Sequence, residues 1–164
     1  WNHTVLSASG DKSAVLWDLR SGSPEMTFDD HEQAVFCADL VTEQGLLLTG
    51  SGDGKLRRFD LRTGQFRSVL GVPHKDSIWD LSYNSLSRRC VTASVDRTVK
   101  VWDVLAGETM HDLECHMEPV MAIQADASRI VSGDSGGWLF VWSFDEERTD
   151  CEYASLMSHV GPFA

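Results

Sequence analysis

A histidine, a hydroxyl residue, an aspartate and an aromatic recur in fixed order along the chain. His74, Thr92, Asp96 and Trp102 make the complete set. His31, Thr49 and Asp53 are followed by Phe59, while His116, Ser132 and Trp142 enclose Gly136 where the aspartate is due. Ser7, Asp11 and Trp17 form a partial set at the start. Hydroxyl, imidazole and carboxylate are the parts of a nucleophilic relay. Repetition argues against that chemistry, because one active site is not rebuilt in every repeat. The same groups can instead satisfy one another: the carboxylate accepts from the imidazole, which meets the hydroxyl, which meets the indole N–H. Phe59 has no N–H, so the second set is expected to lack its last bond. Gly136 has no side-chain acceptor, so His116 is expected to use water or another partner.

Other chemistry is weaker. His111, Cys115 and His116 are close in sequence, but a structural zinc site needs four ligands at a recognisable spacing, and neither a CxxC pair nor a fourth ligand is nearby. No GxGxxG or P-loop sequence occurs, and Ser135-Gly136-Gly137 precedes a strand pattern rather than a helix. No catalytic residue, cofactor or metal is expected.

The elements that position these residues are short alternating strands. Ala14–Asp18, Lys55–Asp60 and Thr98–Asp103 end in Trp17-Asp18, Phe59-Asp60 and Trp102-Asp103, and a fourth copy ends in Trp142-Ser143. Successive aromatics of these endings lie 42, 43 and 40 residues apart, and His31, His74, His116 and His159 follow one another at 43, 42 and 43. In the second repeat, residues 34–40 read as an innermost strand and 46–51 as a strand apolar on both faces. Gly52-Asp53-Gly54 reads as a tight turn, 55–61 as a third strand and 65–70 as an exposed outer strand. The third and fourth repeats follow the same order, with a last strand at 152–157 and a longer charged connection at 145–150. The first repeat keeps only its later three strands. No helix is expected.

The chain has 164 residues, 14 Lys and Arg against 25 Asp and Glu, and a net charge of −11. An acidic chain without a basic run repels phosphate backbones, so nucleic-acid binding is not expected. No apolar stretch of about 20 residues is present, so no membrane span is expected. Cys37, Cys90, Cys115 and Cys151 lack a regular pairing spacing, which indicates reduced thiols in an intracellular protein, cytoplasmic or nuclear.

The Trp-Asp endings, the period and the recurring histidine resemble the WD-repeat (β-transducin-repeat) β-propellers over essentially the whole chain. The resemblance implies an all-β propeller segment of four-stranded antiparallel blades, four blades of a roughly seven-bladed propeller. A partial blade spans 1–30, blades span 31–73, 74–115 and 116–158, and another opens at 159–164. A seven-bladed propeller at this period needs on the order of 290 residues, so an excerpt of a longer protein is expected. The recurring set resembles the hydrogen-bonded tetrad of WD-repeat blades, which ties the loop between blades to the second and third strands.

The family also implies where partners dock. One recurrent contact position follows the first aliphatic residue of the innermost strand: here Phe36, Trp79 and Met121. The other precedes the turn aspartate: Gly10, Gly52, Val95 and Ser135. Neither set holds arginine or lysine, which disfavours phosphopeptide binding and suits an apolar side chain of a peptide or protein. For Trp79 the alternative is simple packing beneath a neighbouring loop. Trp17-Asp18-Leu19-Arg20 resembles the Trp-Asp-x-Arg pattern of WD-repeat substrate receptors of cullin-4 ubiquitin ligases, and Phe59-Asp60-Leu61-Arg62 is a near match. In those receptors the arginines help to dock the ligase adaptor; otherwise Arg20 and Arg62 pair with nearby acids or are solvated. The expected function is a non-enzymatic protein-interaction scaffold, and the alternative is a substrate receptor of a cullin-type ligase, cullin-4 or F-box.

Overall fold

The computed structural model describes residues 3–143. The expected strand at 152–157, the charged connection at 145–150 and the blade opening at 159–164 lie outside the described residues. Within them the chain is all-β, with four antiparallel sheets taken in sequence order. The first holds β1 (Thr4–Ala8), β2 (Ala14–Asp18) and β3 (Ser23–Phe28). The second holds β4 (Val35–Val41), β5 (Leu46–Ser51), β6 (Leu56–Asp60) and β7 (Phe66–Val69). The third holds β8 (Ile78–Asn84), β9 (Arg89–Ser94), β10 (Val99–Asp103) and β11 (Glu108–Leu113). The fourth holds β12 (Val120–Ala125), β13 (Arg129–Asp134) and β14 (Leu139–Ser143). Each sheet is a meander whose strands pair in chain order, the arrangement of propeller blades. One difference from expectation is small: the turn after β4 closes as a 3-10 turn, Thr42–Gln44, ended by Gly45 at φ +63°.

Each blade is apolar on both faces, so it cannot be stable alone and must stack. Ala14, Leu16 and Phe28 meet Val35, Leu47, Phe59 and Leu61 between the first and second blades. Leu46, Leu48 and Leu56 face the other way, onto Ile78, Leu81, Cys90 and Trp102 of the third. Val91, Ala93 and Val101 meet Val120, Ile130 and Trp142 of the fourth. The period-2 alternation of β5 thus sends Leu47 into one interface and Leu46 and Leu48 into the next, and all six of its residues are buried. Each such leucine is worth roughly 1.5–3 kcal/mol on burial.

The innermost strands β4, β8 and β12 lie side by side, and side chains stitch them together. Asp39 accepts from the Tyr83 N–H at 3.1 Å, and Asp80 accepts from the Ile123 N–H at 2.8 Å. Ser82, four residues into β8 as Asp39 is into β4, accepts from the Ala125 N–H at 3.3 Å. Blades of a propeller do not share a continuous ladder. These bonds satisfy donors that the sheet edge would leave unpaired. Burial pushes the Asp80 carboxyl up, against the opposing pull of the Ile123 and Leu81 amides.

The second and third blades approach so closely at Gly50 that a Cβ there would lie 2.5 Å from Cys37 Sγ and 2.6 Å from Ile78 Cγ2. Gly50→Ala in the full-length protein should therefore cost about 1–3 kcal/mol by overpacking. Gly10→Ala, with nothing within 4 Å of its Cβ, is the control. Urea denaturation of both should separate them, and equal midpoints would mean that this interface is looser than described.

Candidate functional site

The loops between blades and the turns joining second to third strands lie at one end of the sheets, since Val35 pairs with Ser51 and Ile78 with Ser94 at that end. The histidine sets anchor this end. In the third blade the carboxylate of Asp96 can only accept, so His74 donates from Nδ1, at 2.9 Å. Nε2 then accepts from the Thr92 hydroxyl at 2.7 Å, and Thr92 Oγ1 accepts from the Trp102 indole at 2.8 Å. Burial alone would raise the Asp96 carboxyl. Hydrogen bonds from His74, Thr98 and the Lys75 amide outweigh it and hold the group well below the usual carboxylate range.

The fourth blade reaches the same end by a different residue. His116 meets Ser132 at 2.7 Å, and the Trp142 indole donates to Ser132 at 3.0 Å. The carboxylate comes from Asp134, whose Oδ2 accepts from His116 Nδ1 at 2.8 Å. Asp134 stands where the second and third blades have Ser51 and Ser94, two residues before the usual aspartate position. It also caps the turn, accepting from the Gly136 and Trp138 amides at 3.0 Å each. His116 therefore needs no water. The left-handed residue of this turn is Gly137, φ +86°, rather than Gly136. An aspartate at Gly136 would set its Cβ 3.3 Å from Asp134 Oδ1, so it would oppose like charge and not complete the set.

The second blade departs further. His31 keeps its bond to Thr49, at 2.8 Å, but Asp53 does not reach it. Arg57, directly across from Thr49 in the β5–β6 register, takes both Asp53 oxygens, at 3.0 and 2.6 Å, in a buried pair. Lys100 holds the equivalent place opposite Thr92 but turns outward to Asp112 at 2.6 Å, leaving Asp96 for His74. A planar guanidinium fits a carboxylate with two bonds where an ammonium cannot. His31 Nδ1 is left buried without a well-formed hydrogen bond, the Lys12 backbone being the polar group beside it. Burial pushes the His31 imidazole below its usual range, and Arg57 adds to this. Phe59 gives no N–H; its ring instead meets Phe28, His31 and Phe66 at 5.2, 5.4 and 5.7 Å. In the first blade, Trp17 donates to Ser7 at 2.9 Å, while Asp11 is an exposed turn cap for Ser13.

None of these hydroxyls is placed for nucleophilic attack. Thr49, Thr92 and Ser132 are fully buried and already bonded to their histidines. A substrate has no way to approach them.

The exposed candidates share a backbone feature that residue types alone do not announce. β4, β8 and β12 each open with a β-bulge, between Val35 and Cys37, Ile78 and Asp80, and Val120 and Ala122. The extra residues are Phe36, Trp79 and Met121, each 39% exposed. A bulge re-aims a side chain out of the regular alternation, and here it does so at the loop-bearing end of three adjacent blades. Phe36 and Trp79 stack, centroids 4.6 Å apart and planes 13° apart. Trp79 is thus not sealed beneath a loop. Of the second set, Val95 is half-buried, Gly10 and Ser135 are exposed, and Gly52 leaves the room beside which the Phe36 ring lies.

Arg20 and Arg62 are exposed at the opposite end. Their turns are capped alike, Asp18 accepting from the Arg20 amide at 2.9 Å and Asp60 from the Arg62 amide at 2.7 Å. Neither guanidinium pairs with an acid among the described residues; Arg67 takes the Asp60 carboxylate instead.

Comparison with known proteins follows the same pattern. Residues 22–60 and 66–103 match the family described as "WD domain, G-beta repeat". A guanine nucleotide-binding protein subunit beta of Arabidopsis thaliana is 32% identical over 87% of this chain and 41% of its own length. COMPASS component SWD3 of Saccharomyces cerevisiae is 24% identical over 96% of this chain and 57% of its own, and THO complex subunit 6 of Arabidopsis thaliana is 30% identical over 72% and 33%. The chain belongs to the WD-repeat family. It spans between 33% and 57% of the length of these relatives. No helix among the described residues is long and apolar enough to cross a membrane.

The WD-repeat sets yield two stability predictions. Asp134→Ala should leave the buried His116 Nδ1 without its acceptor, and Asp96→Ala should leave His74 Nδ1 only the Thr98 hydroxyl at 3.1 Å; each should cost roughly 1–3 kcal/mol. Asp53→Ala strands the buried Arg57 charge and should cost more, roughly 3–5 kcal/mol. Chemical denaturation of the full-length variants checks the order, and equal losses at Asp53 and Asp96 would contradict it. His31 gives a pH effect. Its imidazole is held below the ordinary histidine value of 6.5, so below that pH the unfolded chain takes a proton that the folded chain resists. Stability from His31 is present above pH 6.5 and declines as pH falls. Melting temperatures between neutral and mildly acid pH should fall less steeply in His31→Gln than in the native protein.

Proposed function

We propose that this chain is the interaction-bearing part of a non-enzymatic WD-repeat scaffold, four blades of a longer, closed propeller. The observation that carries this is the row of bulges presenting Phe36, Trp79 and Met121 on three adjacent blades, with Val95 beside them on the same end. Desolvated aromatics at the centre of a patch are what protein interfaces use as anchors. The relatives' names accord with this: each is called a subunit or component of a larger assembly. An intracellular setting, cytoplasmic or nuclear, fits the unpaired thiols of Cys37, Cys90 and Cys115.

A second reading, substrate receptor of a cullin-type ligase, is favoured by one observation. Arg20 and Arg62 occupy equivalent capped turns of neighbouring blades and have no carboxylate partner among the described residues, which leaves both available to an adaptor.

Affinity capture with quantitative mass spectrometry on the full-length protein separates these readings. Trp79→Ala removes an exposed, stacked ring and should weaken partner capture about thirtyfold or more, corresponding to about 2 kcal/mol. Arg20→Ala with Arg62→Ala should leave those partners bound and release only a cullin-4 adaptor. Unchanged capture by Trp79→Ala would remove this face from the function.

A further inference from the structure

The end that carries Phe36, Trp79 and Met121 also carries most of the acidic excess of the described residues. Two of its cations are committed: Lys55 pairs with Glu32 at 2.7 Å, and Arg57 is buried against Asp53. Lys12, Lys75 and Arg97 remain, and they answer only part of the charge of Asp29, Asp30, Asp76, Glu114 and Glu118. The half-buried Asp80 carboxylate, next in the chain to Trp79, has amide donors and no cation among the described residues. At the opposite end, Arg20, Arg58, Arg62, Arg88, Arg89 and Arg129 offset the carboxylates of the turns.

We propose that the Phe36–Trp79–Met121 ledge docks a basic segment of a protein partner, one in which arginine or lysine alternates with apolar residues. The proposal rests on the scaffold reading above and adds the chemistry of the occupant. Stacking covers one face of each ring, and 39% of each residue stays in contact with solvent. An arginine plane, or the aliphatic stem of either cation, lies well on such an aromatic surface while its charge faces surrounding carboxylates. Met121 extends the ledge with a side chain that adapts to irregular apolar partners. The same acidic rim repels phosphate, which sets nucleic acid and anionic membrane against this face. Complementary charge also speeds encounter and rejects acidic competitors.

A random dodecapeptide library displayed on phage, selected on the full-length protein and on Trp79→Ala, tests the occupant. Peptides enriched on the native protein should carry arginine or lysine next to leucine, methionine or an aromatic, and Trp79→Ala should not enrich them. A fluorescein-labelled form of the most enriched peptide, followed by anisotropy, should bind about tenfold or more weakly to the Asp76→Lys, Glu118→Lys double variant. Its affinity should also fall several-fold from about 50 mM to about 250 mM salt. Enriched peptides that are neutral or acidic, yet still depend on Trp79, would overturn the basic occupant and leave the ledge as a docking surface. No Trp79-dependent enrichment, with unchanged melting, would overturn both. Should Trp79→Ala lower the melting temperature, Trp79→Leu and the charge-reversal pair test the ledge and the basic occupant in its place.

Discussion

The bond between the interblade histidine and the hydroxyl of the second strand recurs at 2.8, 2.7 and 2.7 Å in three successive blades, whatever surrounds it. The carboxylate comes from the turn at Asp96, from the strand end at Asp134, and does not reach His31 at all. The indole is present at Trp102 and Trp142 and replaced at Phe59. Only the imidazole–hydroxyl contact is common to all three. It joins the loop that arrives from one blade to a strand buried inside the next, and so fixes where the innermost strand begins. The bulge follows within a few residues of that anchor, and with it the direction of Phe36, Trp79 and Met121. An exposed ledge on adjacent blades thus depends on buried polar contacts.

Much of this was legible in the sequence because two periodicities coincide. Strand alternation and the recurrence near 42 residues both follow from apolar patterning, which burial enforces at every position; the buried run 46–51 shows this most plainly. The partners of individual polar groups were less legible, for geometric reasons. Alignment by position gives Gly136 the role of acceptor and leaves His116 unprovided, although Asp134 stands two residues earlier. The signal was an aspartate in a serine position beside a glycine in an aspartate position. Arg57 was invisible for a different cause. Its competition for Asp53 depends on a long side chain crossing to the turn, and Lys100 at the matching place goes elsewhere. The bonds from Asp39, Asp80 and Ser82 to amides of the next blade cross between blades, and no local pattern encodes them. The bulges are backbone events, and residue type alone does not reveal them.

The departures in the second blade have a local logic. Once Arg57 takes Asp53, the turn keeps its cap, because Asp53 still accepts from the Lys55 amide at 3.0 Å. The histidine loses an acceptor, and Phe59 in place of tryptophan removes a donor from the same relay. The lost hydrogen bonds are offset by ring contacts among Phe28, Phe59 and Phe66. Polar closure in the third blade and aromatic closure in the second therefore solve one problem, the sealing of a loop against a strand, by different forces. The first is lost as acid protonates its carboxylate; in the second the ring contacts are indifferent to pH, while His31 and the Asp53–Arg57 pair are not.

Charge follows the same division between buried and exposed. Asp53 is neutralised by the Arg57 guanidinium inside its turn, whereas Asp96 and Asp134 keep their charge and are held by imidazole and amide donors. The acids left free at that end lie in the loops between blades, around a ledge whose own three side chains carry no charge. Arg20 and Arg62 of the other end stand on capped turns with their side chains in solvent. The two ends of the blades thus differ in both surface and charge, aromatic and acidic at one and more nearly balanced at the other. A scaffold with unlike ends can hold two different partners without their competing. The stacked Phe36 and Trp79 mark which end offers an apolar anchor in addition to charge.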